Sequence, residues 1–291
     1  ITPFNEKLEL DLEAARWLAR YQAENGAHGI FPNSTTGEFV HLSDKEAQKL
    51  VEIVLEEVGG RIWVIPGISA NATQHCIELG KRFEDMGVDG VVVTPPFFFK
   101  PSMEGLHKHF SMIAESLDIP IVVYNIPSLT GINIPIDLYV KLAEEYSNIV
   151  GAKVTYESFP YTRKLILEVK SIRKDFAMLT GLDEMLLPVL LMGGDGGIMA
   201  LANAVPQLHR SIYDSYLAGD LVKAIDEYRK LLKLTKIYDI TMSFPSGIKA
   251  LLSAIGAPVK PFVRPPLLPE PSNTIKEIAK IVSELGSKIP H

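Results

Sequence analysis

The run 148–156, NIVGAKVTY, carries Lys153 in the middle of an otherwise apolar alternation. A strand here sets Val150, Ala152 and Val154 on one face and Gly151, Lys153 and Thr155 on the other. Lysine is almost never fully buried without a partner. An ammonium turned toward an apolar interior is desolvated in its charged form, which suits the amine for attack on a carbonyl and formation of a Schiff base. The alternative is a structural lysine paired with a carboxylate, with Glu38 or Asp183 as partner, and the pattern alone leaves both open. Tyr124 lies one strand earlier, in IPIVVYNIP (119–127), on the face of Val122. A phenol beside a Schiff-base lysine can relay protons in carbon–carbon chemistry. A core tyrosine with a satisfied hydroxyl is the commoner case.

Two further polar clusters follow apolar runs. NSTTGE (33–38) reads as a turn whose hydroxyls and backbone N–H groups could hold a carboxylate, or equally as a helix entry capped by Ser or Thr. TGLDE (180–184) supplies Asp183 and Glu184, which either accept hydrogen bonds from ligand hydroxyls or cap the helix that follows. The seven histidines form no ligand pattern, since His107 and His109 are two apart on a helix and face different ways. No metal is expected. The single cysteine, Cys76, excludes an internal disulfide framework and reads as a small core residue of a helix. Lys100 reads as a solvated charge, and Phe97, Phe98 and Phe99 as packing or subunit-contact residues.

These residues need elements to hold them. Strands are expected at 29–33, 61–69, 87–96, 119–127, 148–156, 176–181 and 196–201, with an eighth clipped at ITPF. Amphipathic runs lie between them, such as SDKEAQKLVEIVLEEVG, which opens with Ser43 and Glu46 in capping-box spacing. Strand and helix alternating in this way predict repeated βαβ units around a parallel sheet, here an α/β (β/α)₈ TIM barrel. An open dinucleotide-binding sheet lacks support, because no strand is followed by G-x-G-x-x-G at the start of a helix. GGDGGI (193–198) precedes the last strand and reads as a tight turn. Past about residue 205 the pattern is helical, with a proline-rich crossing, PVKPFVRPPLLPEP, before the last helix. The expected organisation is a barrel over 1–215 and a C-terminal helical domain over 216–291. In a barrel, chemistry sits at the carboxyl ends of the strands, where all four polar clusters fall.

Composition bounds the partners. The 291 residues are 47% hydrophobic and 22% charged, with a net charge of −6 and no basic block. This counts against nucleic acid or an anionic membrane as partner. No apolar stretch approaches the ~20 residues of a membrane span, no signal peptide is visible, and the cytoplasm is the expected compartment.

The segments STTGEFVHLS, VVVTPPFFFKPS, YNIPSLTG, GAKVT and GGDGGI occur in an order and spacing that resembles the dihydrodipicolinate synthase / N-acetylneuraminate lyase superfamily of pyruvate-dependent class I aldolases. The resemblance spans essentially the whole chain. It implies a homotetramer of barrels, small-molecule substrates and no cofactor. By it, Lys153 is the Schiff-base lysine, Tyr124 the catalytic phenol, and Thr35 with Thr36 the pyruvate-carboxylate turn and proton relay. It also places Gly37, Thr155, Gly181, Asp183, Glu184 and Ile198 around the substrate.

Two positions depart from the synthase pattern. Leu129 stands where the synthases usually carry an arginine for the substrate's carboxylate end, and Phe97–Phe99 stand where they carry a tyrosine lent to a neighbouring subunit. The leucine, Thr155 and the Asp183–Glu184 pair resemble the sugar-acid lyases instead, although Ala200, where neuraminate lyases often have serine, counts against sialic acid itself. The expected activity is cleavage or formation of 2-keto-3-deoxy sugar acids. Dihydrodipicolinate synthase, or another lyase or dehydratase of the superfamily, is the first alternative, with Lys100 as a substitute cation. A non-catalytic keto-acid-binding protein is the second.

Overall fold

The computed structural model describes residues 1–284, which fall into two compact units. One unit is Ile1–Val64 with the described residues from Met199 onward, and the other is Ile65–Ile198. The first begins with α1 (Leu12–Glu24), capped by the Asp11 side chain, then β1 (Gly29–Ile30), α2 (Asp44–Val58) and β2 (Trp63–Val64). The two strands pair in parallel. The expected capping box opens α2. The Ser43 hydroxyl accepts the Glu46 N–H, and the Glu46 carboxylate accepts the Ser43 N–H at 2.9 Å. Leu50, Ile53 and Val54 turn inward from α2, and Ala15 of α1 joins Leu50 and Ile53 in one apolar cluster.

The second unit holds α3 (Thr73–Asp85), β3 (Val91–Val93), α4 (Met103–Ser116), β4 (Ile121–Asn125), α5 (Pro127–Thr130) and α6 (Ile136–Glu145). It continues with β5 (Ile149–Val154), α7 (Phe159–Ile172), β6 (Ala177–Thr180), α8 (Leu186–Leu191) and β7 (Gly196–Gly197). Strands β3 to β7 form a parallel sheet in sequence order. Parallel neighbours need a crossover between them, and a helix supplies it each time. The runs VVV of β3 and IVVYN of β4 are buried along their whole length, as strands covered on both faces must be. Gly151 lets β5 close on β6, since a Cβ there would stand 2.8 Å from the Ala177 carbonyl oxygen.

The first unit resumes with α9 (Pro206–Leu217), α10 (Leu221–Leu234), α11 (Lys236–Ile240), α12 (Phe244–Ala254) and α13 (Ser272–Ser283). Gly219, at φ +76°, turns the chain between α9 and α10 and divides the long helical run. The proline-rich crossing is pinned by Arg264. Its guanidinium donates to the carbonyls of Leu8 (2.9 Å) and His41 (2.7 Å) and forks onto the Glu46 carboxylate. The end of the helix expected from Ser272 to Ser287 lies outside the described residues.

Each of the seven expected strands is present, although shorter than its apolar run. The eighth, at ITPF, forms no ladder. Phe4 makes only an isolated antiparallel bridge to Leu10, because Leu8 adopts a left-handed conformation (φ 62°) and folds the segment back. The Asn5 carbonyl accepts the Leu8 N–H across that turn at 2.9 Å.

Candidate active site

Strands β4 and β5 pair with Tyr124 opposite Lys153, so both side chains leave the same face of the sheet. The resulting geometry is close. The Lys153 ammonium nitrogen lies 4.0 Å from the centroid of the Tyr124 ring, within cation–π range. The Tyr124 hydroxyl lies 3.0 Å from Thr155 Oγ1, two residues beyond the lysine on the same face. Lys153 is 6% exposed and Tyr124 3%. A buried amine, a phenol and an alcohol are therefore gathered at the carboxyl ends of adjacent strands.

Gly181, just past β6, belongs to the same cluster. A Cβ at that position would stand 1.9 Å from Thr155 Oγ1 and 2.9 Å from Lys153 Cε, so only glycine leaves room for the two side chains as they lie. Its N–H donates to the Val154 carbonyl at 2.8 Å, which fixes its place beside β5. Asp183 is buried at the start of a single 3₁₀ turn, Asp183–Met185, and Glu184 beside it is half-buried. Both carboxylates fall in the first turn of that segment, where acidic side chains favour a helix N-terminus. Ile198 follows β7 and is half-buried, its N–H donating to the Thr180 carbonyl.

Thr35, Thr36 and Gly37 lie in the other unit, in a turn between β1 and a 3₁₀ segment, Phe39–His41. Gly37 N–H donates to the Ser34 hydroxyl at 3.0 Å, Glu38 N–H to the Thr35 carbonyl at 3.1 Å, and Thr2 Oγ1 to the Gly37 carbonyl at 2.6 Å. The segment is a turn that leads into the 3₁₀ segment, whose N-cap is Glu38 and carries no side-chain capping bond.

Glu38, considered above as a partner for Lys153, has its carboxylate engaged elsewhere, by Lys249 of α12 at 2.5 Å. The sequence carried a signal for this that the reading above missed. Lys249 interrupts the apolar run SGIKALLSAIG as Lys153 interrupts its strand, and every residue from Pro245 to Leu252 is buried.

Other reactive side chains fall away. Burial raises the Cys76 thiol to about 11, which leaves it a protonated core group. His109, buried on α4, is lowered to about 4 by desolvation and stays neutral, its Nδ1 lying 2.9 Å from the Thr73 hydroxyl. His107 faces outward and meets Glu145 at 2.6 Å. Among the described residues no three His, Cys, Asp or Glu side chains are grouped as a metal site.

A parallel α/β architecture with a buried lysine at the end of a strand defines a class of barrel enzymes, and comparison with known proteins narrows it. Residues 1–285 match the Dihydrodipicolinate synthetase family, and the chain belongs to that family and is a lyase. It is 62% identical to an uncharacterised DapA-like lyase of Thermofilum pendens, over 99% of this chain and 96% of that one. It is 37% identical to the 4-hydroxy-tetrahydrodipicolinate synthase of Methanopyrus kandleri, over 98% and 94%. Among solved structures it superposes on YagE of E. coli, a dihydrodipicolinic acid synthase family protein in complex with pyruvate, with a TM-score of 0.95 at 30% identity, covering 98% of this chain and 96% of that one. A dihydrodipicolinate synthase structure matches at a TM-score of 0.92 and 37% identity, covering 98% and 96%. The fold is accordingly the family's (β/α)₈ barrel with C-terminal helices.

Proposed function

We propose that the protein is a Schiff-base aldolase that cleaves 2-keto-3-deoxy sugar acids, such as 2-keto-3-deoxygluconate, to pyruvate and an aldehyde, and forms them in reverse. The observation that carries this reading is the buried Lys153 seated over the Tyr124 ring, with the Tyr124 hydroxyl 3.0 Å from Thr155. The Lys153 nitrogen adds to the C2 ketone, Tyr124 gives its phenol proton to the departing water, and an iminium forms beside the Tyr124 phenolate. The C3–C4 bond then breaks. Its electron pair moves into the iminium to give an enamine, and the C4 hydroxyl proton passes to Tyr124 as the aldehyde departs. Protonation at C3 and addition of water release pyruvate and restore the amine.

Thr35 and Thr36, with Gly37, take the keto-acid carboxylate, and Thr155, Gly181, Asp183, Glu184 and Ile198 attend the remainder of the substrate. Carboxylates such as Asp183 and Glu184 accept hydrogen bonds from vicinal hydroxyls. Leu129 supports a neutral polyol over a charged tail, being an exposed leucine on α5 where an arginine would hold a carboxylate. Phe98 and Phe99 are 77% and 80% exposed, which supports a subunit contact in a homotetramer. A cytoplasmic enzyme fits the single buried cysteine.

A second reading, dihydrodipicolinate synthase, is favoured by one observation. Lys100 Cε lies 3.5 Å from where a Cβ on Gly131 would stand, which brings a cation beside the turn that carries Leu129. Assays of both reactions separate the two. Pyruvate release from 2-keto-3-deoxygluconate, with slow condensation of pyruvate and aspartate semialdehyde, is the expected result. Efficient condensation without sugar-acid cleavage would transfer the assignment to the synthase.

A further inference from the structure

The first unit contains a second buried lysine that the aldolase chemistry does not use. Lys249 of α12 and Glu38 have side chains with no exposure at all, and they are joined at 2.5 Å across 211 residues of chain. Both groups have further partners. Lys249 Nζ also donates to the Phe262 carbonyl at 2.8 Å and lies 4.2 Å from the Phe4 ring centroid. The other Glu38 oxygen accepts the Arg264 backbone N–H at 3.0 Å and faces His41 Nδ1 at 3.1 Å. A buried charge is retained only when paired and hydrogen-bonded in this way. Burial pulls the Lys249 ammonium down to about 8, and Glu38 is the group that holds it up.

This carboxylate ends the turn Thr35–Thr36–Gly37–Glu38. Glu38 has a left-handed backbone (φ 57°, ψ 37°), which L side chains rarely adopt. Such a conformation persists where the surroundings over-determine it, and here the side chain is held by α12 on one oxygen and the proline-rich crossing on the other. Within the turn the described bonds engage the Thr35 and Gly37 carbonyls and the Ser34 hydroxyl, and the hydroxyls of Thr35 and Thr36 lie outside them.

We propose that the buried Lys249–Glu38 pair sets the Thr35–Thr36–Gly37 turn in the conformation that receives the keto-acid carboxylate, so that both are positioning residues for substrate selection. The inference rests on the aldolase reading above, which gives the turn that ligand. It also gives the C-terminal helices a part in the chemistry, since α12 supplies the cation. Removing both charges together leaves no uncompensated ion in the core, whereas the turn loses its anchor.

The test compares pyruvate with hydroxyacetone, a neutral ketone of similar size, by borohydride trapping on Lys153 in the full-length protein. Three proteins are used: the unaltered chain, Lys249→Met with Glu38→Gln, and Thr35→Val with Thr36→Val. If the first pair of substitutions does not fold, Lys249→Gln with Glu38→Gln keeps a hydrogen bond in place and serves the same comparison.

In the folded pair variant, half-saturation by pyruvate should rise about 10- to 100-fold, the scale of an ångström-level misplacement, with trapping of hydroxyacetone unchanged. Unaltered preference for pyruvate in the pair variant, with preference lost in the threonine variant, would overturn this inference alone. Preference retained in both would remove the turn's assigned role and the inference with it. Failure of the unaltered protein to trap pyruvate on Lys153 would remove the aldolase reading itself.

Discussion

Lys153 and Tyr124 stand on adjacent strands at paired positions, and Thr155 reaches the same phenol from two residues beyond the lysine. The Tyr124–Thr155 bond is available only because Gly181 presents no side chain, as a Cβ there would stand 1.9 Å from the Thr155 oxygen. Gly181→Ala and Thr155→Val should therefore both injure that interaction, and the alanine, whose Cβ would also stand 2.9 Å from Lys153 Cε, should disturb the lysine as well. Each is expected to lower kcat by about 10²- to 10⁴-fold, the range of a positioned proton relay. The double variant should be no worse than the poorer single, because residues acting through one bond are not additive. Kinetics of the four proteins check this, and a fully multiplicative loss would show that the two positions act separately. At this scale much of the site was legible. Alternation set Lys153 and Tyr124 on strand faces, where both are found buried and paired, whereas their roles came from the family resemblance. The burial of Lys249 was signalled by its place in an apolar run, but its pairing with Glu38 was not, because two residues 211 positions apart leave no local pattern.

The elements that carry these residues are set by local chemistry in some places and by distant contacts in others. The start of α2 was readable as a Ser43–Glu46 capping box, and the box is present. Its second role was not readable. The Glu46 carboxylate also receives the Arg264 guanidinium, which arrives from a crossing 218 residues later. That hydrogen bond is the largest influence on Glu46 and lowers its carboxyl from 4.5 to about 2. A carboxyl lowered on folding adds stability that is present above its unfolded value and is lost as pH falls through the folded one. Glu46→Gln should therefore lower the urea midpoint at neutral pH, and the difference from the unaltered protein should shrink as pH drops from 4.5 toward about 2. Urea titrations of both proteins at several pH values measure it. A difference independent of pH would mean that the carboxylate charge is not what matters. Strand lengths were overestimated throughout, since the apolar runs continue past the last paired residue, and ITPF shows how a single left-handed residue, Leu8, can cancel an expected strand.

For the molecule as a whole, the repeated strand–helix order was sufficient to reach the barrel class, and the likeness to YagE at a TM-score of 0.95 agrees with it. The substrate is less legible, because it depends on a few side chains after the strands, each of which has a structural explanation when taken alone. Leu129 and the phenylalanines at 97–99 depart from the synthase pattern, and the proposed sugar-acid reading rests on Asp183, Glu184 and Thr155. A net charge of −6 without a basic patch adds no selection for an anionic polymer.

What unites the readings is a covalent bond between Lys153 and a keto acid. The direct measurement is borohydride reduction of the protein in the presence of pyruvate, followed by peptide mass mapping. The account predicts a pyruvate-derived adduct on Lys153 and none in Lys153→Ala, which should also lose all carbon–carbon cleavage while remaining folded. An unmodified Lys153 in protein shown to bind pyruvate, or an adduct carried by a different lysine, would contradict it.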